Sequence, residues 1–250
     1  MLRLRSLVFD ACLYGMMLVI GIVYAPAALW SPAGAQRAVK AYSASSLWLL
    51  RVICGLKVEV RGNIPTGDVI VGAKHQSFLD ILILARVLPE VSFIMKKELR
   101  WAPILGLYAL RIGSTPVARG RRAAAMKDMV SHAGDRKGPP RQLVIYPQGT
   151  RVAPGAKLPY KAGAGVLYER LGKTCVPAAT NVGVFWGRRS PVRRPGLAVV
   201  EFLDPLPPGL PIADFMTRLE REVETASNWL MREAGFEIQV EAEAGPGSTD

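Results

Sequence analysis

Apolar and polar positions divide the chain into a nearly uncharged beginning and an alternating remainder. No charged residue occurs from Ala11 to Gln36, and a second apolar stretch, Ala41 to Leu56, is interrupted only by Arg51. The first stretch is long enough to cross a bilayer core of roughly 30 Å, and Pro26 is expected to kink or end its helix. The pattern predicts an N-terminal membrane-embedded segment of one or two helices over residues 1–56.

Two alternatives stay open for this segment. Arg3 and Arg5 precede the apolar run and small residues follow it, as in a cleaved signal peptide, whereas Asp10 and the length of the run argue against cleavage. If the segment is retained, its two stretches could form a helical hairpin in one leaflet, or one span followed by an interfacial helix. Basic residues lie on both sides of the first stretch, so the positive-inside rule gives no orientation, and the equal charge slightly favours the hairpin in one leaflet.

From residue 57 onward, short β-branched runs alternate with longer helical patterns. Val69 to Ala73 and Gln142 to Pro147 are continuously apolar over most of their length, which is typical of strands covered on both faces. An amphipathic helix is predicted from Ile212 to Glu233. This alternation predicts an α/β fold, a mixed and mainly parallel sheet flanked by helices, over residues 57–236. The polar residues 237–250 are expected to form a disordered tail.

Charge and cysteine content narrow the class of partner. The chain has 32 Lys and Arg against 20 Asp and Glu, a net charge of +12, which favours phospholipid, nucleic acid or an acidic carrier protein. Nucleic acid is the least favoured partner, because aromatic residues are not interleaved with the basic clusters, which lie at 95–100, 119–122 and 188–194. Three widely spaced cysteines without a C-x-x-C pair suit a reducing compartment.

A histidine and an aspartate stand five positions apart after the strand predicted at Val69 to Ala73. His75 could act as a general base while Asp80 accepts a hydrogen bond from its other ring nitrogen and fixes the tautomer. No enzyme nucleophile accompanies them, so the attacking hydroxyl would come from the substrate. The alternative is an ordinary loop histidine with an acidic residue stabilised by a helix N-terminus.

A second group of polar residues follows the strand predicted at Gln142 to Pro147. Gly149 lets a ligand approach the backbone, Thr150 offers a hydroxyl, and Arg151 can bind a phosphate through two parallel hydrogen bonds. Lys161 stands at the start of the next predicted helix, where a cation and helix amides could bind further anionic oxygens. A solvated loop arginine is the alternative for Arg151.

Four stretches taken in order resemble the sequence blocks of the glycerolipid acyltransferase family, in its 1-acylglycerol-3-phosphate O-acyltransferase branch. They are KHQSFLD (74–80), GSTPVARG (113–120), YPQGTR (146–151) and CVPAATN (175–181). The resemblance covers nearly all of residues 57–205 in the order and approximate spacing of the family. An apolar N-terminal segment also stands in the family's usual place.

The resemblance implies a role for each matching residue in this sequence. His75 and Asp80 match the catalytic histidine and its partner acid, in a transfer where the hydroxyl of a lysophospholipid attacks the thioester of acyl-CoA or acyl-carrier protein. Pro177 matches a proline linked to acyl-donor binding or core structure. The positions associated with the phosphate of the acceptor are Arg119, Gly149, Thr150, Arg151 and Lys161.

Three positions depart from the family pattern. The third block usually reads Phe-Pro-Glu-Gly-Thr-Arg, and this chain has Tyr146 and Gln148 in place of the aromatic residue and the acid. Gln148 retains an acceptor oxygen but carries no charge. Lys74 precedes His75 where the family usually has Asn or a similar residue, and its cation would lower the imidazole pKa or meet the substrate phosphate. We treat Lys74 and Gln148, with Pro177, as supporting residues of the site.

The sequence therefore predicts an acyltransferase that converts lysophosphatidic acid to phosphatidic acid in phospholipid biosynthesis. No metal and no cofactor are expected beyond the acyl donor, and membrane phospholipids and lysophosphatidic acid are the expected partners. The expected location is the cytoplasmic face of the inner membrane, anchored by residues 1–56, with the catalytic domain over residues 57–236. The alternatives are a different lyso-lipid acceptor, such as a lyso-aminolipid, and a non-catalytic lipid-binding membrane protein.

Overall fold

The structure, a computed structural model, describes residues 1–118 and 140–237. Arg119 and nearly all of the predicted tail lie outside the described residues. The helices are α1 (Leu2–Val23), α2 (Ala25–Trp30), α3 (Pro32–Cys54), α4 (Leu79–Val87), a 3-10 helix (Lys97–Trp101), α5 (Leu105–Arg111), α6 (Gly163–Leu171), α7 (Val182–Phe185) and α8 (Ile212–Glu233). The strands are β1 (Leu56–Arg61), β2 (Val69–Ala73), β3 (Val91–Lys96), β4 (Thr115–Val117), β5 (Gln142–Ile145), β6 (Cys175–Thr180) and β7 (Gly196–Phe202).

The seven described strands form one sheet in the order β1-β7-β6-β2-β5-β3-β4. Every neighbouring pair is parallel except β6 and β7, which are antiparallel. The sheet is therefore mixed and mainly parallel, as the sequence predicts. Strands β2 and β5 lie side by side near its centre.

Successive residues of the central strands enter two different hydrophobic cores. Val71 and Val144 belong to the core on the side of α4, while Ile70 and Leu143 belong to the core on the side of α6 and α8. Because both faces are covered by helices, these strands have no polar face, which explains their continuous apolar sequences. The alternation continues past the strand ends and directs neighbouring loop residues to opposite faces.

Three helices, rather than one or two, occupy residues 1–54. Pro26 stands at the beginning of α2, where a missing N–H costs no helical hydrogen bond, and Ser31 caps α3 by accepting the Gly34 N–H at 3.1 Å. Phe9 and Leu13 of α1 are buried in the same core as α4. The division into a membrane anchor and a catalytic domain remains a prediction, and in the structure the helices of the first part complete one face of the sheet.

Helix α1 has the length and composition of a membrane span. Its most apolar 18-residue window has a mean hydropathy of 2.1, and only 22% of that window is buried. No other helix among the described residues is both long and apolar enough to cross a bilayer. Large apolar side chains are exposed on α1 and α2, among them Leu4, Leu7, Tyr14, Leu18, Ile22 and Trp30.

Candidate active site

Three of the four sequence blocks lie together at one edge of the sheet. The first, third and fourth blocks follow or include β2, β5 and β6, which are parallel neighbours, so their carboxyl ends lie together. The second block includes β4, which is parallel to β3 in the same sheet. This is the edge where ligands bind in open α/β sheets.

His75 and Asp80 form a hydrogen-bonded pair at this edge. Asp80 Oδ1 lies 2.9 Å from His75 Nδ1, and the side chains of the two residues are 13% and 1% exposed. Helix α4 begins at Leu79, which places Asp80 in its first turn and directs the carboxylate back toward the preceding loop. With Nδ1 donating to the carboxylate, the Nε2 atom of His75 is left without a proton and can accept one.

The Asp80 carboxylate is held by three further donors. Oδ2 accepts the backbone N–H groups of Gln76 at 2.9 Å and Ser77 at 2.8 Å. Oδ1 also accepts the hydroxyl of Tyr146 at 3.1 Å. Because these donors fix both oxygens of a buried carboxylate, Asp80 is an oriented partner for His75 as well as a charged residue at a helix N-terminus.

Tyr146 contacts both members of the pair. Its ring stacks on the His75 imidazole, with centroids 3.9 Å apart and planes inclined by 19°. Burial, together with the adjacent Asp80 carboxylate, raises the pKa of Tyr146 well above its ordinary value of 10.0, so the hydroxyl remains a hydrogen-bond donor. The family phenylalanine could supply the stacking but not this donor.

The loop after β5 lies against the same pair. The N–H of Val152 donates to the carbonyl of His75 at 2.8 Å, which connects the third block directly to the first. Gly149 has a φ of +68°, and a Cβ atom there would lie 2.9 Å from Lys161 Nζ. A side chain at position 149 would thus be strained and would displace the lysine, which explains the glycine.

The predicted phosphate-binding residues are grouped near this loop. Arg151 and Lys161 are exposed, Thr150 is partly buried, and the Lys161 N–H donates to the Pro147 carbonyl at 2.9 Å. The loop therefore places two cations and a glycine beside the His75 segment. Their part in binding phosphate remains a prediction, and Arg119 lies outside the described residues.

Lys74 points to the opposite face of the sheet from His75. Its ammonium lies 2.6 Å from both carboxylate oxygens of Glu224 in α8, and its side chain is 2% exposed. The strand alternation explains this direction, because position 74 continues the face of Ile70. A lysine already paired in this way does not offer a free cation beside His75, in contrast to what its position in the sequence suggests.

Gln148 and Tyr160 contact the same carboxylate. Oε1 of Glu224 accepts the Tyr160 hydroxyl at 3.0 Å and lies 3.5 Å from Nε2 of Gln148, which also donates to the Leu158 carbonyl at 3.1 Å. Gln148 is 2% exposed. The sequence does not point to Glu224, because nothing in an amphipathic helix with several acidic residues indicates which acidic side chain points inward. Tyr160 could not be found either, because its hydrogen-bond partner is that same glutamate.

Pro177 is buried inside β6, in register with Gly72 of β2. Its carbonyl accepts the Leu203 N–H at 2.9 Å. These contacts place it within the sheet just before the His75 loop, in agreement with a role in core structure.

Comparison with known proteins agrees with the geometry of the site. A sequence model described as Acyltransferase matches residues 56–181, half of the chain. A 1-acyl-sn-glycerol-3-phosphate acyltransferase of Pseudomonas aeruginosa is 28% identical over 153 residues, which are 60% of each chain. The human 1-acyl-sn-glycerol-3-phosphate acyltransferase alpha is 31% identical over 163 residues, 63% of this chain and 58% of the relative.

A solved structure extends the likeness in fold beyond the matched region. The crystal structure of the 1-acyl-sn-glycerophosphate acyltransferase PlsC from Thermotoga maritima superposes with a TM-score of 0.76 at 19% identity, covering 92% of this chain and 98% of that one. The curated relatives are matched over less than two thirds of their own length. The match of the family model over residues 56–181, together with a buried histidine-aspartate pair at the edge of the sheet, identifies the chain as a member of the acyltransferase family.

Proposed function

We propose that this protein transfers a fatty acyl group from acyl-CoA or acyl-carrier protein to the free sn-2 hydroxyl of lysophosphatidic acid. The observation that carries the proposal is the 2.9 Å contact between His75 Nδ1 and Asp80 Oδ1, at the carboxyl edge of the sheet and within the residues that match the acyltransferase family. Relatives named 1-acyl-sn-glycerol-3-phosphate acyltransferase support the choice of acceptor.

In the proposed reaction His75 is the general base. Nε2 takes the proton of the acceptor hydroxyl while the oxygen attacks the thioester carbonyl, and Asp80 stabilises the imidazolium that forms. When the carbon–sulfur bond breaks, the imidazolium returns the proton to the departing thiolate. The products are phosphatidic acid and a free thiol, and His75 ends in its starting state.

Binding of the acceptor phosphate is assigned to the loop after β5. Arg151, with Lys161 beside Gly149, would hold the phosphate while the hydroxyl reaches His75. Arg119 is a further candidate on sequence grounds alone. The Val152 to His75 hydrogen bond supports this assignment, because it places the loop beside the proposed base.

The proposal includes attachment to the cytoplasmic face of the inner membrane. The exposed apolar side chains of α1 and α2, including Leu18 and Trp30, support contact with lipid. Cys12, Cys54 and Cys175 are all free thiols, in agreement with a reducing compartment. Sedimentation of the protein with vesicles should depend on α1. A Leu18→Glu variant that sediments as well as the wild type would count against the exposed apolar side chains of α1 as the membrane-binding surface.

The phosphate assignment is tested by comparing two acceptors. Arg151→Gln should raise the KM for lysophosphatidic acid about 10-fold or more, since a charged hydrogen bond contributes about 1.5–3 kcal/mol. The same substitution should leave any activity toward a monoacylglycerol, which lacks the phosphate, unchanged. Equal effects on the two acceptors would remove Arg151 from the phosphate site.

A further inference from the structure

The carboxylate of Glu224 joins three segments of the site. It accepts hydrogen bonds from Lys74 at 2.6 Å and Tyr160 at 3.0 Å, and it lies 3.5 Å from the amide nitrogen of Gln148. Each of these three residues stands next in sequence to a residue of the proposed site. Lys74 precedes His75, Gln148 precedes Gly149, and Tyr160 precedes Lys161.

Two of the departures from the family pattern meet at this carboxylate. Lys74 replaces the usual neutral residue before the histidine, and Gln148 replaces the usual acid of the third block. An acid at position 148 would lie beside Glu224, and the two carboxylates would repel each other and compete for Lys74. With Gln148 neutral, one carboxylate from α8 neutralises one buried ammonium.

The ion pair is too buried to be a surface contact. Lys74 is 2% exposed and the Glu224 side chain 28% exposed, so the ammonium depends on this partner for compensation of its charge. Burial, followed by the charge of Glu224, raises the pKa of Tyr160, which keeps its hydroxyl a donor. Glu224 therefore accepts hydrogen bonds from the ammonium of Lys74 and from the hydroxyl of Tyr160.

We infer that Glu224 is a positioning residue of the acyltransferase reaction. It replaces, from helix α8 and from outside the matched residues 56–181, the carboxylate that Gln148 lacks. By holding Lys74, Gln148 and Tyr160 together, it sets the relative positions of the His75 loop and the Gly149 loop. The inference rests on the proposed function, because the positions matter only if these loops bind and activate the acceptor.

The test moves the carboxylate from position 224 to position 148. Glu224→Gln, Gln148→Glu and the double variant are compared with wild type for phosphatidic acid formation from lysophosphatidic acid in vesicles, with thermal unfolding measured in parallel. Glu222→Gln is the matched control, because its carboxylate pairs with Arg218 on the same helix at 2.8 Å. All rates are taken at a temperature where each variant is folded.

Glu224→Gln should lower kcat by about 100-fold, the loss typical of a small displacement of reacting groups. Gln148→Glu alone should also lose activity, although it restores the usual family residue. The double variant should recover to within about 10-fold of wild type, because Lys74 regains one carboxylate partner. The control should keep the wild-type rate.

Several outcomes would overturn the inference. These are a Glu224→Gln enzyme with wild-type kcat, a Gln148→Glu enzyme faster than wild type, or a folded double variant no more active than Glu224→Gln. If Glu224→Gln does not fold, the double variant decides, and if neither folds, Gln148→Glu decides. Wild-type protein that makes no phosphatidic acid would instead overturn the proposed function, so the two failures are distinguishable.

Discussion

At the scale of single residues, the site depends on how Asp80 is held. One oxygen is fixed by two backbone N–H groups, and the other is shared by His75 and Tyr146. This arrangement determines which nitrogen of the imidazole carries the proton. Substitutions at Asp80 and Tyr146 therefore test two separate features, the tautomer of His75 and how firmly its partner carboxylate is held.

Asp80→Asn should abolish most of the activity while leaving the fold intact. The amide oxygen can still accept from Gln76 and Ser77, which directs the NH₂ group toward His75 Nδ1 and forces the proton onto Nε2. A base that already carries its proton cannot accept another. We expect kcat to fall by about 10³- to 10⁴-fold, as for the equivalent change in serine proteases. Unchanged circular dichroism with a loss below 10-fold would contradict the assigned tautomer.

Tyr146→Phe should weaken activity rather than remove it. Without the hydroxyl, Asp80 loses a donor at 3.1 Å, and its carboxylate is held less firmly as the partner of His75. We expect kcat to fall by about 2- to 10-fold, the equivalent of a neutral hydrogen bond of about 0.5–1.5 kcal/mol. Tyr14→Phe, on the exposed face of α1, is the control. Equal kcat values for wild type and Tyr146→Phe would contradict this role.

At the scale of elements, α1 is attached to the sheet domain by a buried arginine. The guanidinium of Arg193 forms an ion pair with Asp10 at 2.6 Å and lies 4.6 Å from the centroid of the Trp186 ring. The backbone N–H of Arg193 also donates to Ser6 Oγ at 2.9 Å. Within the basic cluster at 188–194, Arg188, Arg189 and Arg194 are exposed, but Arg193 is buried and holds the N-terminal helix.

Arg193→Met should loosen α1 without altering the chemistry of His75. Removing one partner of a buried pair costs about 3–5 kcal/mol, and because Asp10 is 29% exposed we expect the lower end of that range or below, about 2 kcal/mol. Urea unfolding measures the loss, and limited proteolysis should cut first near α1. Arg194→Met is the control, since that side chain is exposed. Equal stability of the two variants would exclude this attachment.

Two elements with a clear pattern of apolar residues have the bounds that the pattern predicts. They are β2 (Val69–Ala73) and α8 (Ile212–Glu233), whereas β5 ends at Ile145, two residues before its predicted end. Helix α3 begins at Pro32, nine residues before the predicted stretch, because small and polar residues at its start show no apolar face. The Ser31 cap that starts it depends on a single hydroxyl, a signal too small to separate from ordinary loop serines.

Only the part of the candidate site whose residues lie close together in the sequence could be predicted. His75, Asp80 and the loop after β5 are local in sequence, and parallel strands bring them together. The Lys74 to Glu224 contact joins residues 150 positions apart, and its formation depends on where α8 packs across the sheet. The sequence does not indicate a partner for the Tyr146 hydroxyl, because that partner, Asp80, lies 66 positions away in the chain.

At the scale of the whole molecule, each of these two cores buries a cysteine, Cys54 on the side of α4 and Cys175 on the side of α8. Burial raises the pKa of the Cys175 thiol from 9.0 to about 12. In the unfolded chain the thiol ionises from about pH 9, whereas in the folded protein it keeps its proton. The native state then binds more protons than the unfolded state, so stability falls as the pH rises from about 9 to 12.

Cys175→Val should flatten this alkaline loss. The wild-type free energy of unfolding should fall by up to about 1.4 kcal/mol per pH unit more steeply than that of the variant between pH 9 and pH 10, before tyrosines contribute. Urea unfolding at intervals over this range measures both slopes. Parallel curves for the two proteins would show that the thiol is not protected by burial.

The measurement that tests the central claim most directly is phosphatidic acid formation by wild-type and His75→Ala protein in vesicles containing lysophosphatidic acid. Acyl-CoA and acyl-carrier protein are supplied in separate reactions, and thiol release is followed together with the lipid product. We predict that the wild type uses at least one donor and that His75→Ala is slower by about 10³-fold or more, because both the base and its oriented pair are lost. Phosphatidic acid formed at comparable rates by the two proteins would contradict the account.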